Sequence, residues 1–295
     1  MYFAFLRYQK IYYLFSAILI LAATVCLFSF GLNLGIEFTG GSIMEIEFKT
    51  EPLAEDQIRE ILKEFGLEKV VIQSIGEKGL ILRMKEIDEK KHQQILKKFK
   101  EKADLEEQRF EMIGPIIGKE LTKKTKIAIL LALFAIVFYV ALAFRRLKRP
   151  LSSWQYGLVS LICLFHDVFL PLGVFSLLGK FYQVEITIPI IAALLAVLGY
   201  SINNTVVMYD RIRENLFRKV GISYAETVEK SINQNLWRCI NTSLTTLLVL
   251  FFIFFLGGQT LKYFALALIL GISAGTYSSI FLACPLLCSF AKKSL

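Results

Sequence analysis

Long apolar runs separated by short polar stretches dominate the chain. Six runs are long: Ile11–Phe30, Ile127–Phe144, Trp154–Leu178, Ile186–Met208, Ile240–Leu256 and Leu261–Phe290. A helix rising 1.5 Å per residue needs about 20 predominantly apolar residues to cross the hydrocarbon core. The pattern therefore predicts six membrane-spanning helices. The first run is longer than the core of a cleaved leader and ends in Phe30-Gly31, so it is read as an uncleaved first span. The last is long enough to tilt or to extend beyond the bilayer. Pro171, Pro189 and Pro285 fall within or near the ends of runs. Spanning helices tolerate proline where neighbours satisfy the freed carbonyls.

Between the first two runs the rhythm changes. Ile43–Phe48 alternates, with Met44, Ile46 and Phe48 on one face and Glu45 and Glu47 on the other, as in a half-buried strand. Ala54–Phe65 carries Ile58, Ile61, Leu62 and Phe65 at helical spacing, and Gly66 is placed to end that helix. Val70–Ile75 and Leu80–Met84 read as strands joined by a turn containing Gly76 and Gly79. Asp88–Lys102 is an amphipathic helix, and Glu107–Ile113 a last strand. The order βαββαβ is the split, ferredoxin-like pattern, which names no function by itself. The expected fold is a polytopic α-helical membrane protein of six spans with an inserted α+β ferredoxin-like extracytoplasmic domain. Its parts are 1–30 (first span), 31–124 (inserted domain) and 125–295 (five spans, with a cytoplasmic loop at 209–239). His92 falls on a lysine-rich helix face and is expected to be solvated.

Composition supports this class: 55% of residues are apolar and 20% charged, with a mean hydropathy of +0.56. The net charge of +9 belongs to the membrane part, because residues 31–126 hold 18 Lys and Arg against 19 Asp and Glu. A nucleic-acid footprint would gather basic charge on a folded domain or arm, so nucleic acid is not an expected partner. One set of termini and short connections carries 14 Lys and Arg, including Arg7, Lys10, Arg145, Arg146, Lys148, Arg149, Lys292 and Lys293; the opposite set carries only Lys180 and Lys262. The positive-inside rule then places both termini in the cytoplasm and the inserted domain outside. Five cysteines without metal spacing and two histidines argue against a metal centre. No P-loop, nucleophile elbow or cofactor motif is present, so an enzyme is not expected.

Polar side chains inside the spans are the candidate functional groups, since lipid makes them costly. His166-Asp167 lies in the middle of the third span; its carboxylate is either a proton-binding group or a structural hydrogen bond between helices. Gly199 is followed by Tyr200, Ser201, Asn203, Asn204 and Thr205 in the fourth span, which suits a packed interior or a water path. Asp210 and Arg211 end that span, where interfacial ion pairs are ordinary. Arg238 opens the fifth span, placed to snorkel or to reach inward to Asp167. Gly271 and Gly275 stand four apart in the sixth span, the spacing of close helix–helix packing.

Several ordered segments resemble the SecD/SecF family of bacterial protein-export subunits, on its SecF side, over essentially the whole chain. Gly35-Ile36-Glu37-Phe38-Thr39-Gly40-Gly41 is similar to the family's G-x-D-F-x-G-G stretch. Gly114-Pro115-Ile116-Ile117-Gly118-Lys119-Glu120-Leu121 is similar to its V-G-P-x-[VI]-G-x-E-L stretch. His166-Asp167-Val168, Gly199 to Val207 running into Asp210–Asn215, Arg238 to Thr246, and Gly275 to Ile280 match the later spans. The resemblance implies work with SecD at the SecYEG translocon on a translocating polypeptide, driven by the proton-motive force. It also implies a place in the bacterial inner membrane, with YajC and YidC as more distant partners. It further implies six helices that form half of a pseudo-symmetric bundle related to RND transporters. An RND-type transporter half and a non-transporting assembly factor are the competing readings.

Two residues depart from the family pattern. Asn204 stands where the resemblance implies an aspartate, and an amide takes up no proton at physiological pH. Asp167 is then the only acid deep in a span, and Arg238 lacks its implied partner. Glu37 replaces the first motif's aspartate and keeps its charge.

Overall fold

The computed structural model describes residues 3–68, 70–145 and 150–294, with the side chains of residues 259, 260 and 292–294 left aside. Arg146, Lys148 and Arg149, used above for orientation, lie outside the described residues, as do the side chains of Lys292 and Lys293. The chain divides into two units. One comprises residues 1–32, 128–184 and 188–295; the other comprises 33–127 together with 185–187.

The first unit holds long helices. They are α1 (Gln9–Phe30, preceded by a 3₁₀ turn at Phe5–Tyr8), the later part of α5 (Pro115–Ala143), α6 (Ser153–Tyr182), α7 (Ile188–Phe217), α8 (Tyr224–Leu256), α9 (Gln259–Ser278) and α10 (Cys284–Ser294). Six stretches are long and apolar enough to cross a membrane, the last running through α9 and α10. All six expected spans are present, and most exceed the apolar runs because polar turns extend the helices. Residues 209–217 continue α7, and 224–239 begin α8.

The spans differ in role. About half of the apolar window is buried in α6, and 61% in the last span, against 11% in α1 and in α5. The centre is therefore α6, α7 and α9. Two glycines allow α9 to approach α7. A Cβ on Gly271 would lie 2.3 Å from Val197 Cγ2, and one on Gly275 would lie 2.9 Å from Ser201 Cβ. Between α9 and α10 the helix opens into a π turn at Ser279–Ala283. Pro285 has no N–H to offer the carbonyl of Phe281 four residues back, which explains a break there.

The second unit contains α2 (Ile36–Thr39), β1 (Gly41–Phe48), α3 (Glu55–Glu64), β2 (Val71–Ile75), β3 (Gly79–Met84), α4 (Glu89–Lys102) and β4 (Leu105–Ile113). The sheet is antiparallel in the order β2-β3-β1-β4, the ferredoxin-like arrangement expected from the sequence. Met44, Ile46 and Phe48 pack with Leu80 and Leu82, Ile58, Ile61 and Leu62 of α3, and Ile95, Leu96 and Phe99 of α4. Gly66, at φ +70°, ends α3 as its position predicted. Asp88 caps α4 by accepting from the Lys91 N–H at 2.9 Å.

His92 corrects its expectation. It is 3% exposed, stacked on Phe110 with ring centroids 3.7 Å apart, and placed between Glu107 (2.5 Å from Nε2) and Glu89 (3.2 Å from Nδ1). The lysines fill the other positions of the helix surface. A ring whose two nitrogens both meet carboxylates is satisfied when buried, which its apolar spacing did not reveal.

Candidate functional site

Asp167 is fully buried on α6, where Pro171 removes the N–H that would have bonded its main-chain carbonyl. Its carboxylate meets three polar groups from three helices. Ser201 Oγ of α7 donates to Oδ2 in a short contact, Ser278 Oγ of α9 donates to Oδ2 at 2.7 Å, and His166 Nδ1 lies 2.9 Å from Oδ1. The carboxylate thereby ties α6 to α7 and α9 through side-chain hydrogen bonds. His166 Nε2 is buried without a hydrogen-bond partner among the described residues. Its ring borders an apolar cavity of about 420 Å³ formed by α1, α6 and α9.

A second cluster lies one helical turn along. Buried Asn204 Nδ2 donates to Ser243 Oγ of α8 at 3.3 Å, and Thr276 Oγ1 of α9 donates to the same hydroxyl at 2.6 Å. The position that would hold an acid in the family is here a neutral link between α7, α8 and α9.

Of the alternatives open for Arg238 and Asn203, the exposed one fits each: snorkelling for Arg238, and a face open to water or a partner for Asn203. Arg238 is exposed on α8 and does not reach Asp167, whose acceptor sites face serine hydroxyls and His166. Asn203 is likewise exposed, on the face of α7 that also shows Ala192, Ala196 and Gly199. Beside Arg238, Asn241, Thr242 and Thr245 are exposed too. Asp210 pairs with Arg213 and Arg211 with Glu214, so the end of α7 is an ion-paired surface. Ser278 was not singled out by sequence reasoning; its signal was its place in the Gly275 to Ile280 stretch that resembles the family.

In the sheet unit, the two glycine-rich segments meet. Gly40, at φ +77°, would carry a Cβ 2.9 Å from Pro115 Cα, and a Cβ on Gly118 would lie 3.0 Å from the Phe38 carbonyl oxygen. The small residues let two backbones pack at contact distance. Residues 185–187 join them: Gly35 N–H donates to Ile186 O at 3.0 Å, and Ile186 N–H donates to Asn33 O at 2.6 Å. Arg83 Nε stands 2.9 Å from Glu185 Oε1, while its Nη1 donates to Gln73 Oε1 at 2.7 Å. Glu37 Oε2 is buried with no hydrogen-bond partner among the described residues.

Six spanning helices, a ferredoxin-like insertion and a buried intramembrane carboxylate held by three helices define a multi-pass membrane protein with a polar core. The family model described as protein export membrane protein SecD/SecF, C-terminal, matches residues 91–293, and the SecD/SecF GG motif matches residues 27–52. A Thermobaculum terrenum protein named protein translocase subunit SecF is 39% identical, covering 97% of this chain and 93% of its own. The Sebaldella termitidis protein of the same name is 36% identical over 95% of this chain and 89% of its own. The crystal structure of SecDF, a translocon-associated membrane protein from Thermus thermophilus, matches 99% of this chain with a TM-score of 0.86 at 35% identity. The chain spans 39% of that longer SecDF chain. The chain belongs to the SecD/SecF family of protein export membrane proteins.

Proposed function

We propose that this chain is the SecF-type subunit of the bacterial protein-export machinery. It pairs within the inner membrane with SecD, works at the SecYEG translocon, and helps a translocating polypeptide across using the proton-motive force. YajC and YidC are further candidates around the same assembly. Both termini face the cytoplasm, and the sheet domain lies outside.

The exposed polar face of α7 and α8 carries this reading. Asn203, Arg238, Asn241 and Thr242 lie in or beside apolar spans yet are exposed among the described residues. Bare lipid is a poor solvent for amides and a guanidinium, so another polypeptide is expected to cover them. The small residues Ala192, Ala196 and Gly199 on the same face suit close helix packing. The match to 39% of a longer SecDF chain favours SecD as that polypeptide.

Gly199→Leu tests the pairing. A Cβ at Gly199 meets nothing within 4 Å in this chain, so the variant folds while the new side chain obstructs a partner. Recovery of SecD by co-purification should fall about tenfold, as a loss of roughly 1.4 kcal/mol of packing produces. Unchanged recovery, or recovery of a periplasmic efflux adaptor in place of SecD, would count against this function.

A further inference from the structure

We propose that Glu37, Arg83 and Glu185 form a proton-operated clasp that fastens residues 185–187, the connection between α6 and α7, to the sheet domain. Glu185 is paired with Arg83, and Glu37 lies near enough for its charge to act on Glu185. Arg83 and Glu185 are 13% and 16% exposed in their side chains, so the ion pair is nearly out of water. The Arg83 Nε–H points off the line to the carboxylate, so the contact is an ion pair more than a hydrogen bond. Glu37 sits against Gly35, where a Cβ would come within 2.3 Å of Oε2, and that oxygen has no partner. Arg109 also feels the Glu37 charge, but its guanidinium is committed to Glu111. One added proton makes the trio neutral.

The clasp has a second component that does not titrate. The paired backbone hydrogen bonds between Gly35, Asn33 and Ile186 and the parallel bridge between Leu34 and Ile186 hold the same three residues in register. Glu185 is the chain neighbour of Ile186 and is tied to Arg83 of β3. The ionic trio therefore reports on whether this short parallel pairing is made.

The direction of the pH effect follows from linkage. Burial raises the Glu185 carboxyl above its usual value; Arg83 opposes this and Glu37 reinforces it. The clasped state thus binds a proton more tightly than an open state in which Glu185 is in water. Stability is fully present below the open-state value and is lost as pH rises through the clasped-state value. Acidification of the compartment facing the sheet domain tightens the clasp, and alkalinity loosens it. The inference stands whether or not the export reading holds, because it concerns this unit alone.

Hydrogen exchange of the full-length protein in lipid nanodiscs, corrected for intrinsic pH dependence, tests it at the amides of Gly35 and Ile186. In the wild type, protection of both amides should fall as pH rises from the acidic range through neutrality. Glu185→Gln should keep both protected at every pH. Arg83→Met leaves a carboxylate without its cation, so protection should drop about tenfold or more at neutral pH and return on acidification. A pH-independent wild type would overturn the proposal. So would an Arg83→Met loss that acid does not reverse, or one that spreads to the amides of β1, which marks a general fold defect.

Discussion

Asp167 accepts hydrogen bonds from two serines and faces a histidine, and no Lys or Arg pairs with it among the described residues. A carboxyl group without a cation in a low-dielectric interior depends on the hydrogen bonds around it. If it is the proton-binding group, Asp167→Asn removes the charge while keeping the shape. Export should then lose its dependence on the proton gradient, read as translocation with and without a protonophore. Normal, protonophore-sensitive export by that variant would remove Asp167 from the mechanism. Asn204→Asp is the complementary change. Ser243 and Thr276 already offer hydroxyls at that position, and the family pattern has an acid there, so the variant should retain export. Complete loss of export would show that this turn has been rebuilt around the amide.

The elements determine whether those side chains meet. Ser201 is in place because α9 passes close to α7 at Gly275. Gly275→Ala puts a methyl group 2.9 Å from Ser201 Cβ and pushes the hydroxyl off Asp167. Overpacking of this kind costs about 1–3 kcal/mol. The variant should accumulate in the membrane yet export as poorly as Ser201→Ala, measured in the same assay. In the sheet unit, His92 joins α4 to β4 through Glu107. His92→Leu leaves a largely buried carboxylate without its partner and should cost about 1–3 kcal/mol. The check is thermal unfolding of the full chain, with hydrogen exchange in α4 locating the loss. A melting temperature equal to the wild type would return His92 to the solvated role its neighbours suggested.

At the scale of the whole molecule, orientation and pairing matter most. The lysine and arginine distribution predicts that the sheet domain and the α7–α8 connection face opposite sides of the membrane. Ser74 and Ile222 are exposed in those two places. In intact spheroplasts an impermeant maleimide should label Ser74→Cys and leave Ile222→Cys unlabelled until the cells are opened. The native cysteines are buried or half-buried and give a low background. Labelling of both in intact cells, or the reverse order, would overturn the topology.

The six spans, the βαββαβ order and the charge asymmetry were legible from the chain alone. Each rests on a local period, a 20-residue apolar length, or a count of basic residues, and none needs a distant contact. The ordered motifs were legible for the same reason, since they are contiguous in sequence. The polar residues of the spans were legible as a set, but not which of them face one another. Hydropathy treats Asn203 and Asn204 alike, yet helical geometry turns one outward and the other toward Ser243. Arg238 seemed a candidate for Asp167, but it is exposed on α8 and the carboxylate is served by Ser201, Ser278 and His166. Arg83 and Glu185 are about a hundred residues apart and carry no shared motif, so only folding brought them within 2.9 Å. Local periodicity determined the elements; the pairing of charges across long sequence separations was decided by tertiary packing, because a buried charge finds its partner in space rather than along the chain.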